Sequence, residues 1–91
     1  MATLMSVHIE LFGIPRHRTG VASFEVVATT LGQAIEQAAR RMPQLDEICF
    51  LNGRLREGYI VSVNGQSFVT DTRTILLDGD CVLVLSADGG G

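Results

Sequence analysis

The chain has 91 residues, a formal charge of −3, 46% apolar residues, few aromatics and no Trp. That length supports one small domain around a single core and is too short for two. The acidic balance leaves no electrostatic footprint for a phosphate backbone, so nucleic acid is not an expected partner. No run approaches the ~18 apolar residues of a membrane span, and Met1 to Val7 lack the basic start and long apolar stretch of a secretory leader. A cytoplasmic protein that meets no membrane is expected.

In chain order, Ser6 to Phe12 places Val7, Ile9 and Leu11 on one side and Ser6, His8 and Glu10 on the other, the alternation of a half-buried strand. Gly13, Pro15 and Gly20 punctuate a polar stretch that reads as a loop, and Val21 to Ala28 reads as a second strand, so a hairpin with a long connection is expected. Thr30 then opens a helix, with Gln33 at the reciprocal capping-box spacing. Leu31, Ala34, Ile35, Ala38, Ala39 and Met42 recur at intervals of three and four to form one apolar stripe. Arg40 and Arg41 suit the negative end of the helix dipole, and Pro43 stops the helix.

Ile48 to Leu51 predicts a brief strand ended by Asn52-Gly53, and Arg54 to Gly58 reads as a loop. Tyr59 to Val63 and Gln66 to Thr70 flank Asn64-Gly65, a strong hairpin signal because both residues tolerate positive φ. Thr74 to Leu77 and Cys81 to Leu85 are expected strands around the turn Asp78-Gly79-Asp80. The last of them has few polar interruptions and reads as buried on both faces. One helix and several strands predict an α+β domain, with the helix packed across a curled mixed sheet. The final strand is expected beside the first and parallel to it, since the helical crossover leaves room for that pairing. The whole chain, 1–91, forms one domain in this reading, with 86–91 a flexible C-terminal tail.

Catalytic groupings are hard to assemble. His8 stands on the polar side of a strand and His17 between two arginines, and neither has a sequence-local metal ligand set. Cys49 and Cys81 are far apart and lie in apolar runs, which predicts two small buried side chains. Asp78 and Asp80 are turn residues, and Arg16-His17-Arg18 reads as a solvated basic cluster. Gly89-Gly90-Gly91 has no helix after it to cradle phosphate, so the chain is not expected to perform ATP chemistry by itself.

Those glycines are nonetheless the strongest chemical feature. A tail without side chains can enter a narrow channel, and glycine gives the least steric hindrance beside a carboxylate. A carboxylate is a poor acyl donor until it is converted to a better leaving group, such as an acyl adenylate. A partner that binds ATP would have to hold the tail and carry out that step by proximity and electrostatic stabilisation.

Together with Ile9-Glu10-Leu11-Phe12-Gly13, the single capped helix, Val61-Ser62-Val63-Asn64-Gly65 and Leu77-Asp78-Gly79-Asp80, the terminal glycines give a chain that resembles the MoaD/ThiS family of ubiquitin-like sulfur carriers. The resemblance extends from Ser6 to the end. It implies the β-grasp fold and a carrier protein or noncatalytic small subunit that is not itself an enzyme. It implies an adenylating partner related to ubiquitin activators, which uses ATP that the chain does not bind, and a persulfide protein as sulfur donor. Gly91 would carry the adenylate and then the thiocarboxylate, with Gly89 and Gly90 presenting it. In the molybdopterin branch, a larger synthase subunit would receive the tail. Thiamin, cysteine or another sulfur pathway, or conjugation of Gly91 to lysines as a protein modifier, are the alternatives. Phe12, Phe68 and Val69 are candidates for a partner-docking surface.

Overall fold

The computed structural model describes residues 5–86. Strand β1 (Ser6–Leu11) buries Val7, Ile9 and Leu11 and turns Ser6, His8 and Glu10 to the opposite face, as its alternation requires. It pairs antiparallel with β2 (Ser23–Val27), from Ser6↔Val27 to Glu10↔Ser23. On its other side β1 runs parallel to β7 (Cys81–Ser86), in the register His8↔Cys81 to Leu11↔Val84. The strand last in sequence is thus central in space. Strand β5 (Tyr59–Val63) pairs antiparallel with β7, and β6 (Ser67–Val69) closes the far edge, giving the order β2-β1-β7-β5-β6.

Two further strands, β3 (Phe50–Leu51) and β4 (Arg54–Leu55), form a separate two-stranded ribbon. Arg54 and Leu55, at the start of the stretch expected as a loop, therefore pair. Asn52 and Gly53, both at positive φ, make the tight turn between the two strands. The residues before Phe50 are not strand: Leu45–Ile48 forms a single helical turn, labelled α3 below, which buries Leu45 and Ile48.

The long helix α2 (Leu31–Arg41) lies across the sheet and buries Leu31, Ala34, Ile35 and Ala38 against it. This is a β-grasp architecture. Thr30 caps the helix as expected, its hydroxyl accepting from the Gln33 N–H at 3.2 Å. The reciprocal bond falls one residue upstream: the Gln33 carboxamide oxygen accepts from the Thr29 N–H and hydroxyl, each at 2.8 Å. Two more first-turn donors are satisfied from far along the chain, Leu31 N–H by the Thr74 carbonyl and Gly32 N–H by the Thr72 carbonyl, each at 2.9 Å.

That pairing corrects the expected strand at Thr74 to Leu77. Thr74 gives its carbonyl to the helix terminus, Leu76 N–H donates to the Thr29 carbonyl at 2.9 Å beside the single bridge Thr30↔Ile75, and fully buried Leu76 anchors the segment. Gly13 to Gly20 is likewise not a loop. It forms helix α1 (Ile14–Thr19), with Pro15 in the first turn, where its missing N–H costs nothing. Gly20 follows the last turn in the left-handed conformation at φ 74° and donates to the Arg16 carbonyl at 2.9 Å.

Strand β7 is not buried on both faces. Val82, Val84 and Ser86 are buried on the core side, while Cys81, Leu83 and Leu85 are only half-buried on the opposite face. The apolar run reflects one core-facing row and one row on the outer face, because the helical layer covers only one side of the sheet. The strand also extends to Ser86, one residue beyond its expected end.

Candidate functional site

The chain leaves the described structure at Ser86, in register with Tyr59 of β5. Because β1 and β7 are parallel, their C-terminal ends lie side by side, and Phe12 N–H donates to the Val84 carbonyl at 3.0 Å. Helix α1 packs against β7 at this same end, placing Arg16, His17 and Arg18, all exposed, near the root of the tail. The last described residues thus belong to a strand paired with β1 on one side and β5 on the other. Gly89, Gly90 and Gly91, the residues expected to present and carry the acyl group, lie outside the described residues.

The opposite end of β7 is tied down by its turn. Asp78 Oδ1 accepts from the Ser6 N–H at 2.8 Å, and Gly79 N–H donates to the Ser6 carbonyl at 2.8 Å. Asp80 accepts from the Leu77 N–H at 2.9 Å and from Asn64 Nδ2 at 3.0 Å, while Asn64 Oδ1 accepts from the Cys81 N–H at 2.8 Å. The Leu77 N–H, and then the Asn64 amide, hold the Asp80 carboxyl below the ordinary carboxylate value. One turn therefore fastens the starts of β1 and β7 and the β5–β6 turn together.

Between the two ends lies the outer face of the sheet. Register places Ile60 beside Leu85, Ser62 between Leu83 and Phe68, and Glu10 beside Leu83. Ile60, Leu83 and Leu85 are half-buried, and Phe68 is 68% exposed. Toward β2 the face turns polar through His8, Glu10 and Glu25. An apolar patch on an uncovered sheet face suits a protein partner. Of the three docking candidates read from sequence, Phe68 lies on this face and Phe12 follows the outward-facing row of β1. Val69 is on the core side, packed against the buried cluster. Ile60, Leu83 and Leu85 were missed because strand alternation cannot show which side is covered when both rows are apolar.

The cysteines differ. Cys49 is fully buried, and desolvation pushes its thiol up to about 12. Cys81 is not the buried residue expected: it sits half-exposed on the outer face and donates its S–H to Glu10 Oε2 at 3.5 Å. Burial, and then the Glu10 carboxylate, raise its pKa as well. Among the described residues no group of three His, Cys, Asp or Glu is placed to hold a metal ion, and no helix is long and apolar enough to cross a membrane. A surface cleft of about 600 Å³ lies between β2 and α2, lined by Ser6, Glu25, Arg40 and Arg41 at the end of β1 away from the tail root.

Known proteins agree with this geometry. The sequence model of the ThiS family matches residues 9–91. No curated protein matches the chain in sequence. Among solved structures, it is similar to SAMP1 from Haloferax volcanii, at 21% identity and a TM-score of 0.78, covering 94% of this chain and 99% of that one. It is similar to a chain of the BexX/CysO complex from Amycolatopsis orientalis, at 25% identity and TM-score 0.76, covering 93% and 99%. A chain of the complex of subunits 1 and 2 of molybdopterin-converting factor from Helicobacter pylori matches at 22% identity and TM-score 0.64, covering 96% and 100%. With its family match and its mixed sheet grasping one long helix, the chain belongs to the ThiS family of small ubiquitin-like sulfur carriers, which are not enzymes.

Proposed function

We propose that this protein carries sulfur on the α-carboxylate of Gly91, with Gly89 and Gly90 as the slender segment that a partner's channel admits. The observation that carries the reading is the family match, which runs through Gly91 itself. The chemistry belongs to partners. In an adenylating enzyme the carboxylate oxygen attacks the α-phosphorus of ATP and pyrophosphate leaves. A persulfide sulfur of a donor protein then attacks the acyl carbon and expels AMP. A thiol cleaves the resulting acyl disulfide by a two-electron reduction, leaving the thiocarboxylate. These steps place the protein in the cytoplasm, where ATP is available.

Molybdopterin synthesis is the favoured destination. The likeness to the Helicobacter pylori complex supports a larger subunit that receives the tail and passes its sulfur to the pterin precursor. The likeness to the chain from the BexX/CysO complex keeps other sulfur acceptors, including the thiamin and cysteine pathways, as alternatives. The likeness to SAMP1 favours a second reading, in which the activated Gly91 is transferred to lysines of target proteins.

Intact mass after incubation with the cognate adenylating enzyme, ATP and a persulfide donor tests the proposal. The carrier gains the difference between one sulfur and one oxygen, whereas a modifier forms lysine adducts. Deleting Gly91, or adding a residue after it, abolishes loading and leaves the thermal unfolding midpoint unchanged. Normal loading of either variant refutes the carboxylate chemistry.

A further inference from the structure

The nucleophile inventory of this chain is unusual for a protein whose carboxyl group is to be activated. All seven of its Lys and Arg residues are arginines: Arg16, Arg18, Arg40, Arg41, Arg54, Arg56 and Arg73. Lysine is among the commonest residues of globular domains. Structure accounts for arginine at only some of these positions. The Arg56 guanidinium grips the Asp46 carbonyl through two nitrogens, Arg73 pairs with both carboxylate oxygens of Asp71, and Arg41 donates to the Glu25 carbonyl while lying 5.9 Å from the Phe24 ring centroid. Arg16, Arg18, Arg40 and Arg54 are exposed and make no side-chain hydrogen bond or ion pair among the described residues, so an ammonium would serve equally well there.

The chemical difference is nucleophilicity. A lysine amine has a deprotonated fraction that attacks acyl adenylates and thioesters, whereas a guanidinium stays protonated and does not. The thiols are also held back. Cys49 is fully buried with its thiol raised to about 12, and Cys81 lies against the Glu10 carboxylate. On the reading that Gly91 is activated, we infer that the side chains of this protein are built to be inert toward its own activated carboxyl. No copy acylates another through a side-chain amine, so the protein does not grow into side-chain-linked polymers. As a carrier it loses no acyl group to its own side chains, and as a modifier it offers no side-chain amine for a second addition.

The reaction avoided is balanced simply: a lysine nitrogen attacks the Gly91 acyl carbon, AMP leaves, and the ammonium proton passes to solvent. Restoring amines tests the inference. R16K/R18K places them near the tail root and R40K/R54K away from it, and both pairs preserve net charge. Wild type and variants are incubated with the cognate adenylating enzyme and ATP, with and without a persulfide donor. Pyrophosphate release, thiocarboxylate mass and covalent dimers are followed together.

The expected result is equal pyrophosphate release, with Gly91–lysine isopeptide dimers only in the lysine variants. These dimers disappear when Gly91 is deleted, and the thiocarboxylate yield of the variants falls as carrier concentration rises. Both variant pairs loading as wild type does, without isopeptide products, overturns the inference while leaving the carrier function intact. Absence of pyrophosphate release from wild type instead refutes the activation of Gly91, and the inference falls with it.

Discussion

Asp80 ties the turn before β7 to the β5–β6 turn through its carboxylate, and its environment has a pH signature. Its carboxyl is held below the ordinary value by the Leu77 N–H and the Asn64 amide. A depressed folded-state pKa means that the contribution is complete above the unfolded-state value and is lost as pH falls through the folded one. Asp80→Asn should therefore cost about 1 kcal/mol or less at pH 7. The difference from wild type should shrink as the medium is acidified below the ordinary carboxylate pKa. Urea unfolding at neutral and acid pH measures both. At this scale Asp78-Gly79-Asp80 was legible as a turn from its residue types. Its bonds to Ser6 and Asn64 were not, since they join residues far apart in the chain.

Among the elements, α2 was the most legible because its signals are local: a capping threonine, apolar residues at three and four, terminal arginines and a stopping proline. The segment before β7 was the least. Thr74 to Leu77 has the composition of a strand, yet its neighbourhood offers it the unpaired N–H groups of a helix terminus in place of a strand edge. Leu76 is the plug that holds this segment in place, and it is fully buried. Leu76→Ala should destabilise the fold by about 2–5 kcal/mol. Chemical denaturation reads that cost, and accelerated amide exchange at Leu31 and Gly32 would show that the helix start loosens with it. Helix α1 was hidden for a related reason: Gly13, Pro15 and Gly20 are turn formers in isolation but also the boundary residues of a short helix.

At the scale of the whole molecule, the fold separates stability from recognition. One face of the sheet is buried under α2, and the other presents Ile60, Leu83, Leu85 and Phe68. Phe68→Asp should change stability by less than about 1 kcal/mol because the side chain is 68% exposed. It should weaken binding of the adenylating partner about tenfold, the loss of a modest interface hot spot. Titration calorimetry measures the second effect and thermal melting the first. Equal affinity would place the docking surface elsewhere.

The amino-acid order alone determined the first strand's inward row, the main helix, the Asn64-Gly65 turn and the parallel placement of the last strand. Each rests on a period, a cap, a turn residue or a connection length that short stretches of chain express. Tertiary structure decided which row of β7 meets α2, that Cys81 faces outward beside Glu10, and that α1 stands at the root of the tail. Those outcomes depend on which distant carbonyls, carboxylates and helices arrive at each surface, and pairing between distant residues leaves no periodic trace in sequence.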